Sequence, residues 1–157
     1  MLALPCVLVA STAAGLVWRR MSGRVRPVRL AERARGPSSP AAGTTPAASS
    51  PAEPGTAATL AGLGVDPAAA PVTLVQFSSA FCQPCRATRQ ILGQVVSQLP
   101  AVRHIEVDAE SHLDAVRKLS ILRTPTVLVV DRTGRVVRRA SGQPRKADVI
   151  AAVAPYL

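Results

Sequence analysis

Apolar and polar positions divide the chain into four stretches of different character. Residues 1–18 are uncharged and almost wholly apolar, and residues 19–35 are rich in arginine. Residues 36–71 consist mainly of Ala, Pro, Ser, Thr and Gly, a composition typical of a disordered linker. Only residues 72–157 combine apolar runs with amphipathic patterns, so we expect a single packed domain there.

Within the domain, short runs rich in β-branched residues alternate with longer stretches that repeat apolar positions at helical spacing. The turn chemistry of Asp131-Arg132-Thr133-Gly134 indicates an antiparallel hairpin, and the first two helices should each connect parallel strands. The fold class is therefore α/β, a mixed sheet with helices on both faces. The pattern predicts strands at 72–78, 102–108, 126–131 and 135–140 and helices at 82–99, 112–119 and 145–154.

The uncharged run Leu2–Trp18 is near the lower length limit for a helix that spans a bilayer. Arginines follow the run and none precedes it, so the positive-inside rule predicts a single-pass anchor with the domain facing the cytoplasm. The alternative is an export signal, because small residues such as Ala10 and Ala14 lie where cleavage is feasible. An export signal would place the domain outside the cytoplasm.

The formal net charge of +10 does not by itself identify a binding partner. Nucleic-acid binding is poorly supported, because the chain has only one Trp, one Tyr and two Phe and no known binding motif. The arginines of residues 19–35 should instead be attracted to anionic lipid head groups. We therefore expect membrane lipids, and no nucleic acid, as partners of the N-terminal part.

The sequence Phe81-Cys82-Gln83-Pro84-Cys85 stands between the first predicted strand and the first predicted helix. Cys82 falls in the first helical turn, where unpaired N–H groups favour negative charge, so its thiol should ionise more easily than that of a free cysteine. Cys85 lies one turn further on, close enough for a disulfide. Pro84 is tolerated because a first-turn N–H has no intrahelical acceptor. This placement predicts redox chemistry.

A structural zinc half-site and two unreactive thiols are the alternatives to redox use. Zinc in a structural site usually takes four ligands. The other candidate ligands are Cys6, His104 and His112, which are not at ligand spacing from one another. We therefore expect no metal site.

Residues 72–154 combine the first apolar strand, Phe81 to Cys85, Val107-Asp108, Arg123-Thr124-Pro125-Thr126, the turn at 131–134 and Gly142. With these motifs the domain resembles thioredoxin. The N-terminal apolar segment followed by arginines makes the whole chain similar to membrane-anchored actinobacterial thioredoxin-like proteins. Motifs of this kind are specific to a fold and not to a substrate. The N-terminal strand and helix of full-length thioredoxin are not evident, which suggests a shorter core form.

The resemblance implies a role for each matching residue. Cys82 would attack a partner's disulfide, and Cys85 would resolve the mixed disulfide. Pro125 would be a cis proline facing the cysteine pair, with the Thr124 backbone available to an extended substrate. An ordinary trans bond before Pro125 is the alternative. The remaining substrate-contacting positions implied by the resemblance are Phe81, Gln83 and Pro84.

Three features depart from the thioredoxin pattern. Gln76 stands where thioredoxin has a buried aspartate that helps to deprotonate the resolving cysteine, and an amide cannot take that proton. His104 stands where the family has a lysine, and a neutral imidazole there would accept the proton. The favoured interpretation is nevertheless a half-buried histidine bonded to Gln76 without an acid–base role, because buried polar groups commonly pair with one another. Phe81 and Gln83 replace the usual tryptophan and glycine, positions that tune the reduction potential.

Together these observations predict a membrane-tethered thiol–disulfide oxidoreductase, a protein-disulfide reductase that uses Cys82 and Cys85 without a cofactor. Its partners would be disulfide-containing proteins and an electron donor, either a thioredoxin-reductase-like enzyme or a membrane thiol carrier, and we expect a monomer. One alternative is an exported reductase in cytochrome or cofactor assembly. The other is a redox-sensing or soft-metal-delivery adaptor that uses the same pair.

Overall fold

The computed structural model describes residues 25–27 and 54–157 of the chain. In the domain, strands and helices alternate until a final hairpin and helix, and each predicted element is present with its ends within two residues of the expected position. The elements are β1 (Val25–Pro27), α1 (Pro54–Gly62), β2 (Val72–Ser78), α2 (Gln83–Gln98), β3 (Val102–Asp108), α3 (Leu113–Lys118), β4 (Thr126–Asp131), β5 (Val136–Ser141) and α4 (Lys146–Val153), followed by a 3-10 turn at Ala154–Tyr156.

The strands form one mixed sheet in the order β1-β5-β4-β2-β3. Strands β2 and β3 are parallel, whereas β4 is antiparallel to both β2 and β5. The prediction that both connecting helices join parallel strands is therefore wrong for α3. A helix of six residues is about 9 Å long, much shorter than a strand of seven residues, so it does not carry the chain back to the far end of the sheet. Strand β4 consequently starts at the end where β3 finishes.

Every residue of β2 is buried, and its two faces pack against different pairs of helices. On one face, Leu74 lies in a cluster with Leu92 of α2 and Val153 of α4. On the other face, Phe77 lies in a cluster with Leu60 of α1 and with residues that follow α3. Packing of α2 against this face of the sheet therefore places the start of the helix at the end of β2.

The predicted linker at 36–71 is too long at its C-terminal end. Residues Pro54–Gly62 form α1, and Leu60 and Val65 are buried in the domain core. Helix formation begins at Pro54, which fits a first helical position because its missing N–H has no acceptor to lose. The domain therefore includes the helix that the shorter core form would lack. The rest of the linker, residues 28–53, lies outside the described residues.

The basic segment at 19–35 also contributes to the fold. Residues Val25–Pro27 pair antiparallel with β5, where Val25 lies opposite Ala140, and so provide partners for the outer edge of that strand. The predicted membrane anchor at 1–18 lies outside the described residues. Among the residues that are described, no helix is both long and apolar enough to cross a bilayer.

The hairpin between β4 and β5 is confirmed. The Asp131 carboxylate accepts hydrogen bonds from the backbone N–H of Thr133 at 2.9 Å and from the Arg135 guanidinium at 2.8 Å. Gly134 has a φ of 76°, a left-handed conformation that glycine adopts without a Cβ penalty. Burial of Asp131 acts to raise its pKa, but the hydrogen bonds from Thr133 and Arg135 outweigh that effect and hold the pKa below its usual value.

Candidate active site

Cys82 and Cys85 form a disulfide at the junction of β2 and α2, with their Cα atoms 5.2 Å apart. Cys82 is the N-cap of α2, so it precedes the first helical residue and faces the unpaired N–H groups of the first turn. Its Sγ accepts a hydrogen bond from the backbone N–H of Cys85 at 3.2 Å. The position of a sulfur at the positive end of a helix, expected from the sequence, is therefore present.

The two cysteines differ in their access to solvent. Cys85 is only 2% exposed, whereas Cys82 is partly exposed beside Phe81, which is 97% exposed. Gln83 and Pro84 form the exposed first turn between the cysteines. A large partner can therefore reach the Cys82 sulfur and not the Cys85 sulfur.

The loop before β4 lies against the loop that carries the disulfide. The Thr124–Pro125 peptide bond is cis, as the resemblance implies, and Pro125 is buried. The Oγ atoms of Ser79 and Thr124 are within hydrogen-bond distance at 3.1 Å, and the backbone N–H of Gly142 donates to the Pro125 carbonyl at 2.7 Å. Among the described residues, the backbone N–H and C=O of Thr124 have no backbone partner, so both are available to an extended peptide.

Gln76 lies directly beneath the disulfide and is completely buried. Its Nε2 donates to the backbone carbonyl of Cys85 at 3.0 Å and lies 3.5 Å from Oε1 of Glu106. Its Oε1 has no hydrogen-bond partner among the described residues. The amide thus ties β2 to the first turn of α2 without offering a group that can be ionised.

Glu106 stands opposite Gln76 in the parallel register of β2 and β3. Its Oε1 accepts hydrogen bonds from Ser78 Oγ and from Arg89 Nη2, each at 2.7 Å, and Arg89 Nε donates to its Oε2. The hydrogen bonds from Arg89 are the main reason that the pKa of Glu106 lies below its usual value. Glu106 therefore remains a carboxylate that connects β2, β3 and α2.

His104 is one layer further from the disulfide than Gln76, because it pairs with Leu74 in the β2–β3 register. Its Nε2 is buried and has no hydrogen-bond partner among the described residues. The expectation that His104 is bonded to Gln76 is therefore wrong, since the Gln76 amide contacts Cys85 and Glu106 instead. Burial lowers the pKa of His104, although the nearby Glu106 carboxylate opposes this change.

The sequence alone does not indicate the partners that surround the cysteines. Ser79 was not anticipated because nothing in the sequence indicates that it contacts Thr124. Glu106 and Arg89 carry a partial signal, since Arg89 lies four residues after Cys85 on α2 and therefore on the same helical face. Their contact depends on the register of β3, which the hydrophobic pattern does not determine to the residue.

An accessible sulfur at a helix N-terminus, a buried sulfur one turn later and a cis proline loop beside them define a thiol–disulfide exchange site. The sequence model of the thioredoxin family matches residues 66–155, more than half of the chain. This protein belongs to the thioredoxin family and is a thioredoxin-like disulfide oxidoreductase.

Individual relatives agree with this assignment. The chain is 26% identical over 91 residues to thioredoxin of Chlamydia trachomatis, covering 58% of this chain and 88% of the relative. Its fold is similar to chloroplastic thioredoxin z, with a TM-score of 0.53, 22% identity and coverage of 61% and 88%. Thioredoxin from Fasciola hepatica gives a TM-score of 0.50, 23% identity and coverage of 55% and 81%. At these identities the solved structures support the fold alone.

Thioredoxins act without a cofactor and exchange disulfides with other proteins, which agrees with the chemistry of this site. Within the described ranges, no three His, Cys, Asp or Glu side chains are grouped so that they could hold a metal ion. The only sulfur pair described here is the disulfide at the start of α2.

Proposed function

We propose that this chain is a membrane-tethered protein-disulfide reductase that cycles Cys82 and Cys85 between dithiol and disulfide. The observation that carries the proposal is the position of Cys82 as the N-cap of α2, where its sulfur accepts a hydrogen bond from the Cys85 N–H. In the reduced protein the same N–H would stabilise a thiolate on Cys82. The burial of Cys85 beneath it supports an ordered exchange in which Cys82 reacts first.

Each turnover transfers two electrons to the substrate. The Cys82 thiolate attacks one sulfur of the substrate disulfide, so a mixed disulfide forms and the other substrate sulfur leaves as a thiolate that takes up a proton. Cys85 then loses its proton and attacks the Cys82 sulfur, which releases the second substrate thiol and forms the Cys82–Cys85 disulfide. An electron donor must then return two electrons and two protons. We propose a thioredoxin-reductase-like enzyme or a membrane thiol carrier as that donor.

We assign acceptance of the Cys85 proton to His104. Gln76 is an amide, and Glu106 is a weak base because its oxygens already accept hydrogen bonds from Arg89 and Ser78. Burial lowers the pKa of the His104 imidazole and so favours its neutral form, and among the described residues its buried Nε2 has no hydrogen-bond partner. Gln76 Oε1 and His104 Nε2 lie on the neighbouring strands β2 and β3, and both are buried without a hydrogen-bond partner among the described residues.

The substrate would lie across the two loops at the disulfide end of the sheet. The backbone N–H and C=O of Thr124 have no backbone partner in the described part of the chain, which supports pairing with an extended substrate segment next to Pro125. The exposed Phe81, Gln83 and Pro84 would contact the same segment from the cysteine side. Their exposure supports a surface for proteins, because no enclosed cavity is needed for this contact.

The tether is proposed from the sequence of the N-terminal part, which lies outside the described residues. The apolar run Leu2–Trp18 and the arginines after it favour an anchor with the domain on the cytoplasmic side. A thiol engineered by Ser49→Cys in a Cys6→Ser background tests this orientation in intact cells. Protection from an impermeant maleimide, with labelling only after lysis, is expected, and labelling of intact cells would overturn the orientation.

Insulin reduction with dithiothreitol as the electron source tests the chemistry. We expect Cys82→Ser to abolish catalysis and Cys85→Ser to accumulate a mixed disulfide that runs as a covalent adduct without reductant. Cys6→Ser is the matched control, because Cys6 is the remaining cysteine of the chain and is not part of the Cys82-Gln83-Pro84-Cys85 motif. A Cys82→Ser variant as active as the Cys6→Ser control would exclude the proposed mechanism.

A further inference from the structure

Two large apolar side chains beside the disulfide are almost fully exposed. Phe81 is 97% exposed and Leu122 is 93% exposed, whereas the next most exposed large apolar side chains of the described residues, Leu113 and Leu157, are 53% and 47% exposed. Phe81 precedes Cys82, and Leu122 precedes the Thr124–Pro125 bond by two residues. The Ser79–Thr124 contact joins the two loops, so the two exposed apolar side chains are carried by adjoining loops beside the disulfide.

The loop that carries Leu122 is held in place independently of that side chain. Ile121 is buried, Thr126 Oγ1 donates to the Arg123 carbonyl at 2.7 Å, and Gly142 N–H donates to the Pro125 carbonyl. Leu122 therefore contributes almost nothing to the core. Its apolar surface remains in contact with water, which is unfavourable in free energy. Such a side chain on a rigid loop is suited to contact a partner, because little conformational freedom is lost when the partner binds.

The charged groups next to this surface are basic. Arg123 donates from Nη2 to the Ser141 carbonyl at 3.3 Å, which places its guanidinium at the end of β5 beside the Pro125 loop. Arg86 follows Cys85 and is exposed. Neither has a carboxylate partner among the described residues. The acidic Asp108 lies at the opposite, β3 side of the disulfide, and its carboxylate is used by Ser111 and the Glu110 N–H.

We infer that the preferred substrates are extended protein segments in which the reactive cysteine is flanked by apolar and acidic residues. The inference rests on the proposed function and specifies its substrate class. Apolar side chains next to the cysteine would cover Phe81 and Leu122, and acidic side chains would meet Arg123 and Arg86. The surface thus selects substrates by the residues around their cysteine, while Cys82 and Cys85 perform the exchange.

Synthetic peptides test this preference with the full 157-residue chain. Three disulfide-linked peptide dimers would carry Asp-Leu-Cys-Leu-Asp, Lys-Leu-Cys-Leu-Lys or Asp-Gly-Cys-Gly-Asp at their centre. The measurement is the second-order rate constant for oxidation of the reduced, desalted protein, followed by acid quench and divided by the rate constant of the same peptide with dithiothreitol. We expect the first peptide to react at least about fivefold faster than the second and about threefold faster than the third.

Variants identify the residues that cause the preference. Arg123→Gln should reduce the ratio of the corrected rate constants of the Asp-flanked and Lys-flanked peptides by about two- to threefold. Raised salt should reduce this ratio as well. Leu122→Ser should remove most of the difference in corrected rate constant between the Leu-containing and the Gly-containing acidic peptides. Arg103→Gln on β3 and Leu113→Ser on α3 are the matched controls for charge and exposed apolar area, and they should leave both ratios unchanged.

Failure of this inference is distinguishable from failure of the proposed function. Bis(2-hydroxyethyl) disulfide has no flanking residues, so its reduction reports only the chemistry of Cys82 and Cys85. Equal corrected rates for the three peptides, with normal reduction of this small disulfide, would overturn the inference alone. A Leu122→Ser variant that loses a dimer in sedimentation without changing the peptide ratios would also overturn it, because the surface would then bind a second copy of the chain.

Discussion

The side-chain amide of Gln76 donates a hydrogen bond from Nε2 to the backbone carbonyl of Cys85 across 3.0 Å. The bond joins the completely buried centre of β2 to the helical turn that holds the second redox sulfur. A neutral group at this position leaves Glu106 as the nearest carboxylate, and that carboxylate is already compensated by Arg89. The charge beneath the disulfide therefore depends on the neutral Gln76 amide and on the Glu106 carboxylate that Arg89 compensates.

The first prediction concerns Gln76→Glu, which replaces the donor by an oxygen close to the Cys85 carbonyl and the Glu106 carboxylate. A carboxyl group buried there must remain protonated, so its pKa in the folded protein should exceed that in the unfolded chain. The sign of linkage then requires that the variant loses stability as the pH rises above about 4.3. A shift of two units predicts a loss of about 2.5 kcal/mol between pH 4 and pH 8 relative to wild type. Urea unfolding at both pH values measures this loss.

The control for Gln76→Glu is Gln90→Glu on α2, because Gln90 is exposed and should show no such pH dependence. If Gln76→Glu and Gln90→Glu lose stability with pH to the same extent, the buried amide is not needed to keep the site neutral.

The second prediction concerns the proton acceptor. Because burial holds the pKa of His104 below its ordinary value near 6.5, the imidazole should be neutral at pH 7 and the resolving step should slow only in more acidic solution. His104→Gln should slow the attack of Cys85 on the mixed disulfide by about tenfold or more at pH 7. It should also abolish the further decrease of this rate in acidic solution. Rapid-quench measurement of mixed-disulfide decay from pH 5 to pH 9 gives both quantities. His112→Gln is the control, since His112 is exposed before α3; equal profiles for the two variants would exclude the acid–base role.

The third prediction concerns the contact between Arg89 and Glu106. Arg89 is largely exposed, so Arg89→Gln should lower Tm by only about 2–3 °C, yet by more than Arg117→Gln, whose partner Asp114 is fully solvated. The pKa of Glu106 is lowered in the folded protein, so its contribution to stability is present above about pH 4.5 and is lost as the pH falls. Glu106→Gln should therefore flatten the decline of Tm in acid. An unchanged acid decline in this variant would show that the carboxylate contributes nothing to stability.

Sequence patterns predicted the elements that carry their own periodicity. Strand β2 and helix α2 have continuous or regularly spaced apolar residues, so their ends and the position of Cys82 follow from the chain itself. The direction of β4 was not predictable in this way, because it depends on the length of α3 and not on hydrophobicity. The contacts of Gln76 with Cys85 and of Arg89 with Glu106 join residues from different elements, and local patterns do not specify such partners.

Helix α1 was included in the predicted linker for a related reason. Its sequence consists mostly of small residues, and Leu60 is its only large apolar side chain, so it has almost no amphipathic pattern and resembles the linker before it. Its position is decided by tertiary packing. Leu60 is 1% exposed and lies in the same cluster as Phe77 and Leu128, on the sheet face opposite α2.

The fourth prediction therefore tests whether the domain requires α1. Leu60→Ala removes a completely buried side chain, so it should lower the free energy of unfolding by about 2–4 kcal/mol. Leu113→Ala removes the same atoms from a side chain that is 53% exposed and should cost much less. Urea unfolding of both variants measures the difference. If Leu60→Ala costs no more than Leu113→Ala, the folded unit does not depend on α1, and the domain begins close to β2 as the composition of the chain indicated.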